Sequence, residues 1–454
     1  MYNVFGDFML DNICALSTPY GVGAISIIRC SGPNSIELVN KIFKGKNLNK
    51  VKSHTINYGY IIDNGNIIDE VLCNVFIAPH SFDGENMVEI NCHGGIYVTN
   101  RILSILLENG FRMAERGEFS KRAFLNHRLD ITEAESIMDI ISATNEISLI
   151  SSNCGLRSQV KNLIKDFREK ILDLLAKIEV NIDYPEYEDS VDVTHNYLEP
   201  IVKELIKDME NILNNSKISI PAIHGINTAI IGKPNVGKSS LLNMMLDENK
   251  AIVSNIPGTT RDLVEGKLTI GNVTLNLIDT AGIRETSDYV EAIGIERSID
   301  AIKKADLILL VLDSSNKLTD EDLTLLDLTK DKTRIIICNK IDLNKEIDIE
   351  GSINISAIEN KGMDILSKKI LEITNIENMN KMDGKYLNNV RQLDLMKKAY
   401  NSLKDSYNSI LNLVDISLIE IDIKNAFDYL GEITGEAYPE ELITALFTKF
   451  CLGK

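Results

Sequence analysis

The stretch "IIGKPNVGKSS" constrains this chain more than any other. Gly232, Gly237, Lys238 and Ser239 satisfy GxxxxGK[ST], between an apolar run "NTAII" that predicts a strand and "LLNMML", which predicts a helix. Glycines let backbone N–H groups curl around phosphate oxygens, and the start of the helix adds its positive dipole end. Asn235, Val236 and Ser240 share this phosphate-binding turn. Lys238 is placed to reach the β- and γ-phosphates, and the Ser239 hydroxyl to bind Mg²⁺. The runs "TLNLID", "DLILLVLD" and "RIIICNK" follow, separated by segments long enough for helices. That alternation predicts a parallel α/β sheet around the loop.

Later motifs name the base. In "NKID" (Asn339, Lys340, Asp342), a fixed carboxylate at Asp342 accepts both the ring N–H and the exocyclic amine of guanine. Adenine offers neither donor, and a site left unpaired is heavily penalised. "SA" (Ser356, Ala357) closes "INISA", where a backbone N–H can donate to the guanine carbonyl. "DTAG" (Asp279, Thr280, Ala281, Gly282) supplies an acidic residue for the Mg²⁺ shell and a backbone N–H that senses the γ-phosphate. "GTTRD" lies between, in a switch loop that offers Thr260 to the same Mg²⁺. Five elements in this order predict a GTPase domain. Ras-like proteins place Gln after DxxG to orient the attacking water. Here that place holds Ile283, which cannot hydrogen-bond water. Glu285, Asp288 and Glu291 are the acidic candidates that follow, and spacing does not choose among them.

Length and composition bound the rest. A chain of 454 residues, 44% hydrophobic and 25% charged, predicts two or three soluble domains. A net charge of −18 argues against a surface that coats nucleic acid generally, while leaving room for a local basic patch or an anion site. Seven scattered cysteines without a CxxC pair predict reduced thiols in a cytosol-like compartment. The scattered histidines show no zinc-ligand spacing. The opening residues predict no signal peptide, and no apolar run approaches the roughly 20 residues of a membrane span.

Residues 1–125 read as short strands and turns of a small α/β domain. Residues 126–223 turn helical, with an amphipathic stripe from Leu156 through Phe167 to Ile178 and a second from Leu198 to Leu213. The acidic "DYPEYEDSVD" between them reads as a solvated connector. Residues 224–375 carry the nucleotide motifs, and 376–454 return to helix. The simplest architecture inserts the α/β domain into one discontinuous all-α domain built from both flanks. The chain ends on "KFCLGK". Cys451 stands where a prenylated protein carries its lipid, but Gly453 and Lys454 do not fit that box.

The assembled blocks resemble one family, the bacterial and organellar GTPases that modify the wobble uridine of certain tRNAs (MnmE/TrmE). The blocks are "GVGAISIIRCSG", "SFDGENMVEINCHGG", "RGEFSKRAFLNHRLDITEAE", "GKPNVGKSS", "AIVSNIPGTTRD", "DTAGIRETSDYVEAIGIER" and "FCLGK". The resemblance implies an N-terminal domain that dimerises and binds 5-formyl- or 5,10-methylene-tetrahydrofolate, a helical domain, and an inserted P-loop Ras-like G domain. It implies a flavin-dependent partner forming a heterotetramer with the homodimer, tRNA as substrate, no membrane, and addition of a carboxymethylaminomethyl or aminomethyl group at uridine C5. The compartment it implies is the bacterial cytoplasm, with plastid or mitochondrial matrix as alternatives. By the same resemblance K⁺ sits where other GTPases use an arginine finger, held by Asn235 with Ser254, Ile256 and Thr259. The loop also contributes Asn255, Pro257, Gly258 and Thr260 to the GTP site. Glu291 matches the catalytic glutamate that acts on the attacking water through a second water.

The family's folate residues match Arg29, Glu89, Arg128 and Lys454. Some members carry Lys at the place of Arg128, which keeps the charge but changes the hydrogen-bond geometry. The tail would then fold back towards the N-terminal domain. Cys451 reads either as a nucleophile or as a small buried thiol beside the pocket, and His93 as a turn or packing residue. A ribosome-assembly switch GTPase is the alternative, but the tail after 375 has neither a GxxG loop nor a basic stripe.

Overall fold

The structure, a computed structural model, describes residues 11–183, 194–248, 264–278, 299–374, 386, 387, 389–436, 440–448, 450 and 453. It divides into two compact units, Met1–Met138 with Thr434–Lys454, and Asp139–Ile433.

The first unit is built on a seven-stranded sheet. Its strands are β1 (Asn12–Leu16), β2 (Ile25–Ser31), β3 (Phe43–Gly45), β4 (Thr55–Asp63), β5 (Asn66–Phe76), β6 (Met87–His93) and β7 (Phe111–Met113). They lie in the order β3-β4-β5-β6-β2-β1-β7, all antiparallel except the β1–β7 pair. Helices α1 (Ser35–Ile42) and α2 (Ile96–Glu108) bury Val39, Ile42, Ile102 and Leu106 with Ile28, Cys30, Ile61 and Ile90 of the strands. Because side chains alternate along a strand, Arg29 lies on the opposite face from Ile28 and Cys30. Antiparallel register sets it directly across from Glu89. Burial drives the Cys14 and Cys73 thiols up to about 12, so both stay protonated and inert.

Two further helices, α3 (Glu118–Leu125) and α4 (Ile131–Ser142), follow the sheet. The C-terminal helix Glu440–Phe447 returns to them, and Phe447, Phe450 and Ile443 bury with Ala134. Gly117 stands at φ 69°, and a Cβ there would lie 2.1 Å from the Phe447 carbonyl oxygen. Only glycine permits that approach.

The second unit opens with α5 (Glu146–Leu156), α6 (Gln159–Asp183) and α7 (His195–His224). The predicted stripe ran unbroken from Leu156, but α5 ends there. Ser158 takes φ 60°, a left-handed turn that interrupts the ladder before α6 begins. A six-stranded sheet comes next: β8 (Ile226–Ile231), β9 (Val264–Ile270), β10 (Val273–Ile278), β11 (Leu307–Asp313), β12 (Arg334–Asn339) and β13 (Ile353–Asn354). Its order is β13-β12-β11-β8-β10-β9, with only β9 antiparallel to its neighbour. Helices α8 (Lys238–Glu248), α9 (Asp320–Leu328) and α10 (Met363–Thr374) accompany it. β8 lies between β11 and β10, the point where strand order reverses, and such crevices at the carboxyl ends of strands take ligands.

Helices α11 (Val390–Leu411) and α12 (Ile416–Thr434) rejoin α6 and α7 in a bundle. Ile164, Phe167, Ile171 and Leu174 pack there with Leu198, Val202, Met396, Leu403, Ile423 and Leu430. The bundle helices thus come from both sides of the sheet in sequence. Polar bonds tie this layer to the sheet: Asn145 Nδ2 donates to Thr274 Oγ1 at 3.1 Å, and Asn276 Nδ2 to the His224 carbonyl at 2.9 Å. Among the described residues no helix is long and apolar enough to cross a membrane.

Candidate functional site

β8 runs out of the sheet into the glycine loop, and α8 starts at Lys238. The loop's shape needs residues that accept positive φ: Asn235 stands at 63° and Gly237 at 97°. Asn235 and Ser239 are exposed, whereas Val236 is buried and anchors the turn in the core. The Lys238 ammonium is folded over its own loop, donating to the carbonyls of Gly232 at 2.7 Å and Lys233 at 2.8 Å. Burial lowers the pKa of Lys238, and Glu321 partly opposes this. An ammonium held over a glycine loop at the start of a helix is suited to a polyphosphate.

Asn339 fastens three motifs together. The residue is 2% exposed. Nδ2 donates to the Val236 carbonyl of the P-loop at 2.9 Å, and Oδ1 accepts the Ala357 N–H at 3.0 Å. A single amide, using both ends, therefore fixes the phosphate loop relative to the "SA" turn. Asp342 is exposed, and its Oδ1 accepts the Ser356 hydroxyl at 2.6 Å, which orients the carboxylate. The structure thus gathers Val236, Gly237, Lys238, Asn339, Asp342, Ser356 and Ala357 at the carboxyl edge of the sheet. Ser254, Asn255, Ile256, Pro257, Gly258, Thr259, Thr260, Asp279, Thr280, Ala281, Gly282 and Glu291 lie outside the described residues.

Two buried carboxylates in this site escaped the sequence reading. Asp322 accepts Lys233 of the P-loop at 2.7 Å while also capping α9 through Thr319. Asp313 pairs with Lys340 at 2.7 Å. The only signal for Asp313 was an acid placed at the end of an otherwise apolar strand, "LILLVLD".

The N-terminal candidates sit in the other unit. Arg29 Nε and a terminal nitrogen both donate to Oε1 of Glu89, at 3.1 and 3.0 Å. The guanidinium lies 4.6 Å from the Phe82 ring centroid, a cation–π contact. Its remaining nitrogen reaches the Gly453 carbonyl at 3.2 Å. Arg128 is exposed on the loop after α3. Lys454 and Cys451 lie outside the described residues. His93 bonds Asp69 through its ring at 2.7 Å and its backbone N–H at 2.8 Å, and the carboxylate raises its pKa.

Residues 131–451 match the profile of the MnmE helical domain, and residues 12–128 that of the GTP-binding protein TrmE N-terminus. The tRNA modification GTPase MnmE of Acholeplasma laidlawii (strain PG-8A) is 48% identical over 443 residues, 97% of this chain and 99% of its own length. That of Streptococcus thermophilus (strain CNRZ 1066) is 50% identical over 450 residues, 98% of each. The solved G domain of the T. maritima FeoB iron transporter aligns with 33% of this chain and 99% of its own at 30% identity, with a TM-score of 0.26. Near-full-length identity of this order, over a P-loop joined by Asn339 to its base-recognition turn, leads to one assignment: the chain belongs to the MnmE/TrmE family of tRNA modification GTPases, GTP hydrolases that combine an N-terminal TrmE domain, a helical domain and a P-loop G domain.

Proposed function

We propose that this GTPase works as a K⁺-dependent homodimer and, with a flavin-dependent partner protein, adds a carboxymethylaminomethyl or aminomethyl group to C5 of the wobble uridine of tRNA. The observation that carries the reading is the identity, over almost the whole chain, to relatives named for tRNA modification. On this reading residues 1–125 dimerise and bind the folate, 126–223 and 376–454 form the helical domain, 224–375 form the G domain, and the protein acts in the bacterial cytoplasm.

The described residues suit the groups the reading requires. Ser239 is exposed at the first turn of α8, where a hydroxyl can meet Mg²⁺ bound to the triphosphate, with Thr260 as its second protein ligand. Asn235 is exposed on left-handed backbone beside the phosphate loop, where its carbonyl oxygen is a hard donor of the kind K⁺ takes, with Ser254, Ile256 and Thr259 completing the set. A monovalent cation there supplies the positive charge that offsets the transferring phosphoryl group. In the N-terminal unit both Arg29 bonds fall on Oε1 of Glu89, so Oε2 can accept pterin N–H groups. Arg128 and Lys454 would hold the carboxylate tail of 5-formyl- or 5,10-methylene-tetrahydrofolate, which supplies the one-carbon unit. Glu291 would act on the attacking water.

Mass spectrometry of tRNA wobble nucleosides from a strain lacking this gene tests the reading. Loss of the C5-aminomethyl-type nucleosides, restored by the wild-type gene, is expected. An unchanged nucleoside profile would overturn it.

A further inference from the structure

Lys340 is held in an unusual way. It occupies left-handed backbone at φ 68°, directly after Asn339, and its ammonium is bound to Oδ2 of Asp313 at 2.7 Å. The two side chains are 25% and 7% exposed, so the pair is largely withdrawn from water. Asp313 ends β11, and parallel pairing sets it beside Asn339, the last residue of β12. The two strands therefore leave the sheet at the same level.

The carboxylate is itself fixed before it meets the lysine. Oδ1 accepts the Ser315 N–H at 2.9 Å and the Ser315 hydroxyl at 2.6 Å, and Asn316 Nδ2 donates to Oδ2 at 3.2 Å. One residue on, the fully buried Ser314 donates its N–H and its hydroxyl to the Asn339 carbonyl, at 2.9 and 2.7 Å. The turn after β11 thus grips the "NKID" segment twice, by the backbone at Asn339 and by the side chain at Lys340.

We propose that Asp313 is a positioning residue for guanine recognition, holding Lys340 so that its methylene stem walls the base pocket that Asp342 reads. A lysine stem is apolar and its head is not, so the direction of the head decides what the stem can cover. With the ammonium drawn to Asp313, the stem is presented in one conformation. Without that anchor the head seeks water and the side chain must be ordered again each time a nucleotide binds, which costs side-chain entropy. Burial pushes the Asp313 carboxyl up, but the hydrogen bonds from Lys340 and Ser315 outweigh it and bring it down to about 2, so the anchor is charged throughout the neutral range.

The test is a double-mutant cycle in the full chain, read by fluorescent N-methylanthraniloyl-GDP. Asp313→Asn and Lys340→Met are each expected to weaken binding by about tenfold or more, the scale of a lost charge-assisted hydrogen bond. The double variant is expected to be no weaker than the worse single one. GTP turnover by Asp313→Asn should show a raised KM with kcat preserved at saturation, which general damage to the fold would not produce. Should Asp313→Asn not fold, Asp313→Glu enters the same cycle, and its loss must vanish in the Lys340→Met background. Additive losses, or wild-type affinity in Asp313→Asn, would overturn the proposal. Failure of the wild-type chain to bind GDP would instead fault the assignment of the site.

Discussion

The Arg29 guanidinium donates to the backbone carbonyl of Gly453 across 424 positions of sequence, at 3.2 Å. Ser17 donates its hydroxyl to the same oxygen, also at 3.2 Å. The chain's end is therefore bonded to the sheet face that carries the Arg29–Glu89 pair. Gly453 itself stands at φ 85°, and a Cβ there would lie 2.4 Å from the Leu16 carbonyl oxygen. An alanine meets both strain and a backbone clash, on the order of 1–3 kcal/mol. Gly453→Ala, and deletion of Gly453 and Lys454, should both weaken 5-formyl-tetrahydrofolate binding in calorimetry. Wild-type affinity in both variants would separate the tail from the pocket.

Gly237 makes the corresponding close approach in the G domain. Its φ is 97°, and a Cβ would fall 2.2 Å from Nδ2 of Asn339, the nitrogen that holds the Val236 carbonyl. Gly237→Ala must therefore displace the amide that joins the P-loop to Ala357. The expected outcome is loss of GTP and GDP binding together, with folate binding unaffected because the proposed folate residues belong to the other unit. Retention of nucleotide affinity within about threefold would show that the Asn339 bonds do not set the loop.

Catalysis should separate from binding at Glu291. If Glu291 acts on the attacking water, as proposed, Glu291→Ala should nearly abolish hydrolysis while GTP affinity stays close to wild type. Glu285→Ala and Asp288→Ala are the controls, and each should retain turnover. Quenched-flow hydrolysis with a parallel binding titration checks this, and a large loss of GTP affinity in Glu291→Ala contradicts the role.

The nucleotide site was legible because its chemistry is local. The P-loop, "NKID" and "SA" each pack a backbone geometry and its ligand groups into a few consecutive residues, so their order along the chain named the base. The supports of the site were not legible in this way. Asp313 and Lys340 are 27 positions apart, Lys233 and Asp322 are 89, and each pair meets because parallel neighbours, β11 with β12 and β8 with β11, leave the sheet at the same end. The return of the tail to Arg29 is expected only through the family resemblance, which puts Arg29 and Lys454 in one site; no periodicity links a strand near the start to a glycine near the end. Among the helices, the amphipathic stripe located α6 but not the left-handed Ser158 before it, because hydrophobic spacing reports burial and says nothing of φ.

Asp313 also predicts a pH dependence of stability. Its carboxyl titrates at about 2 in the folded protein, below its ordinary value of 3.8. A depressed folded value stabilises the protein above the unfolded value and loses that contribution as pH falls through the folded one. Asp313→Asn should therefore unfold at lower urea than wild type at neutral pH. The gap should narrow below pH 3.8 and close near pH 2. A gap that stayed constant across this range would mean that the ionised form of Asp313 contributes nothing to the fold.

The cation and the dimer make one joint prediction. If K⁺ completes the catalytic site and requires Asn235 together with the loop that follows, replacing K⁺ by Na⁺ should slow GTP turnover strongly. A smaller, more strongly hydrated ion does not take up the same ligand set. Asn235→Gly, which keeps the left-handed backbone of the loop, should reproduce the Na⁺ rate in K⁺ buffer, with little change in GDP affinity, because it removes only the side chain proposed to hold the cation. If the G domains also meet to form the reacting state, specific activity in K⁺ should rise with protein concentration and fall on dilution, whereas in Na⁺ it should be low throughout. Steady-state phosphate release, measured as a matrix of cation against protein concentration, separates the two parts. A rate indifferent to the cation removes K⁺ from the mechanism. A rate per subunit that stays flat under K⁺ removes the G-domain encounter.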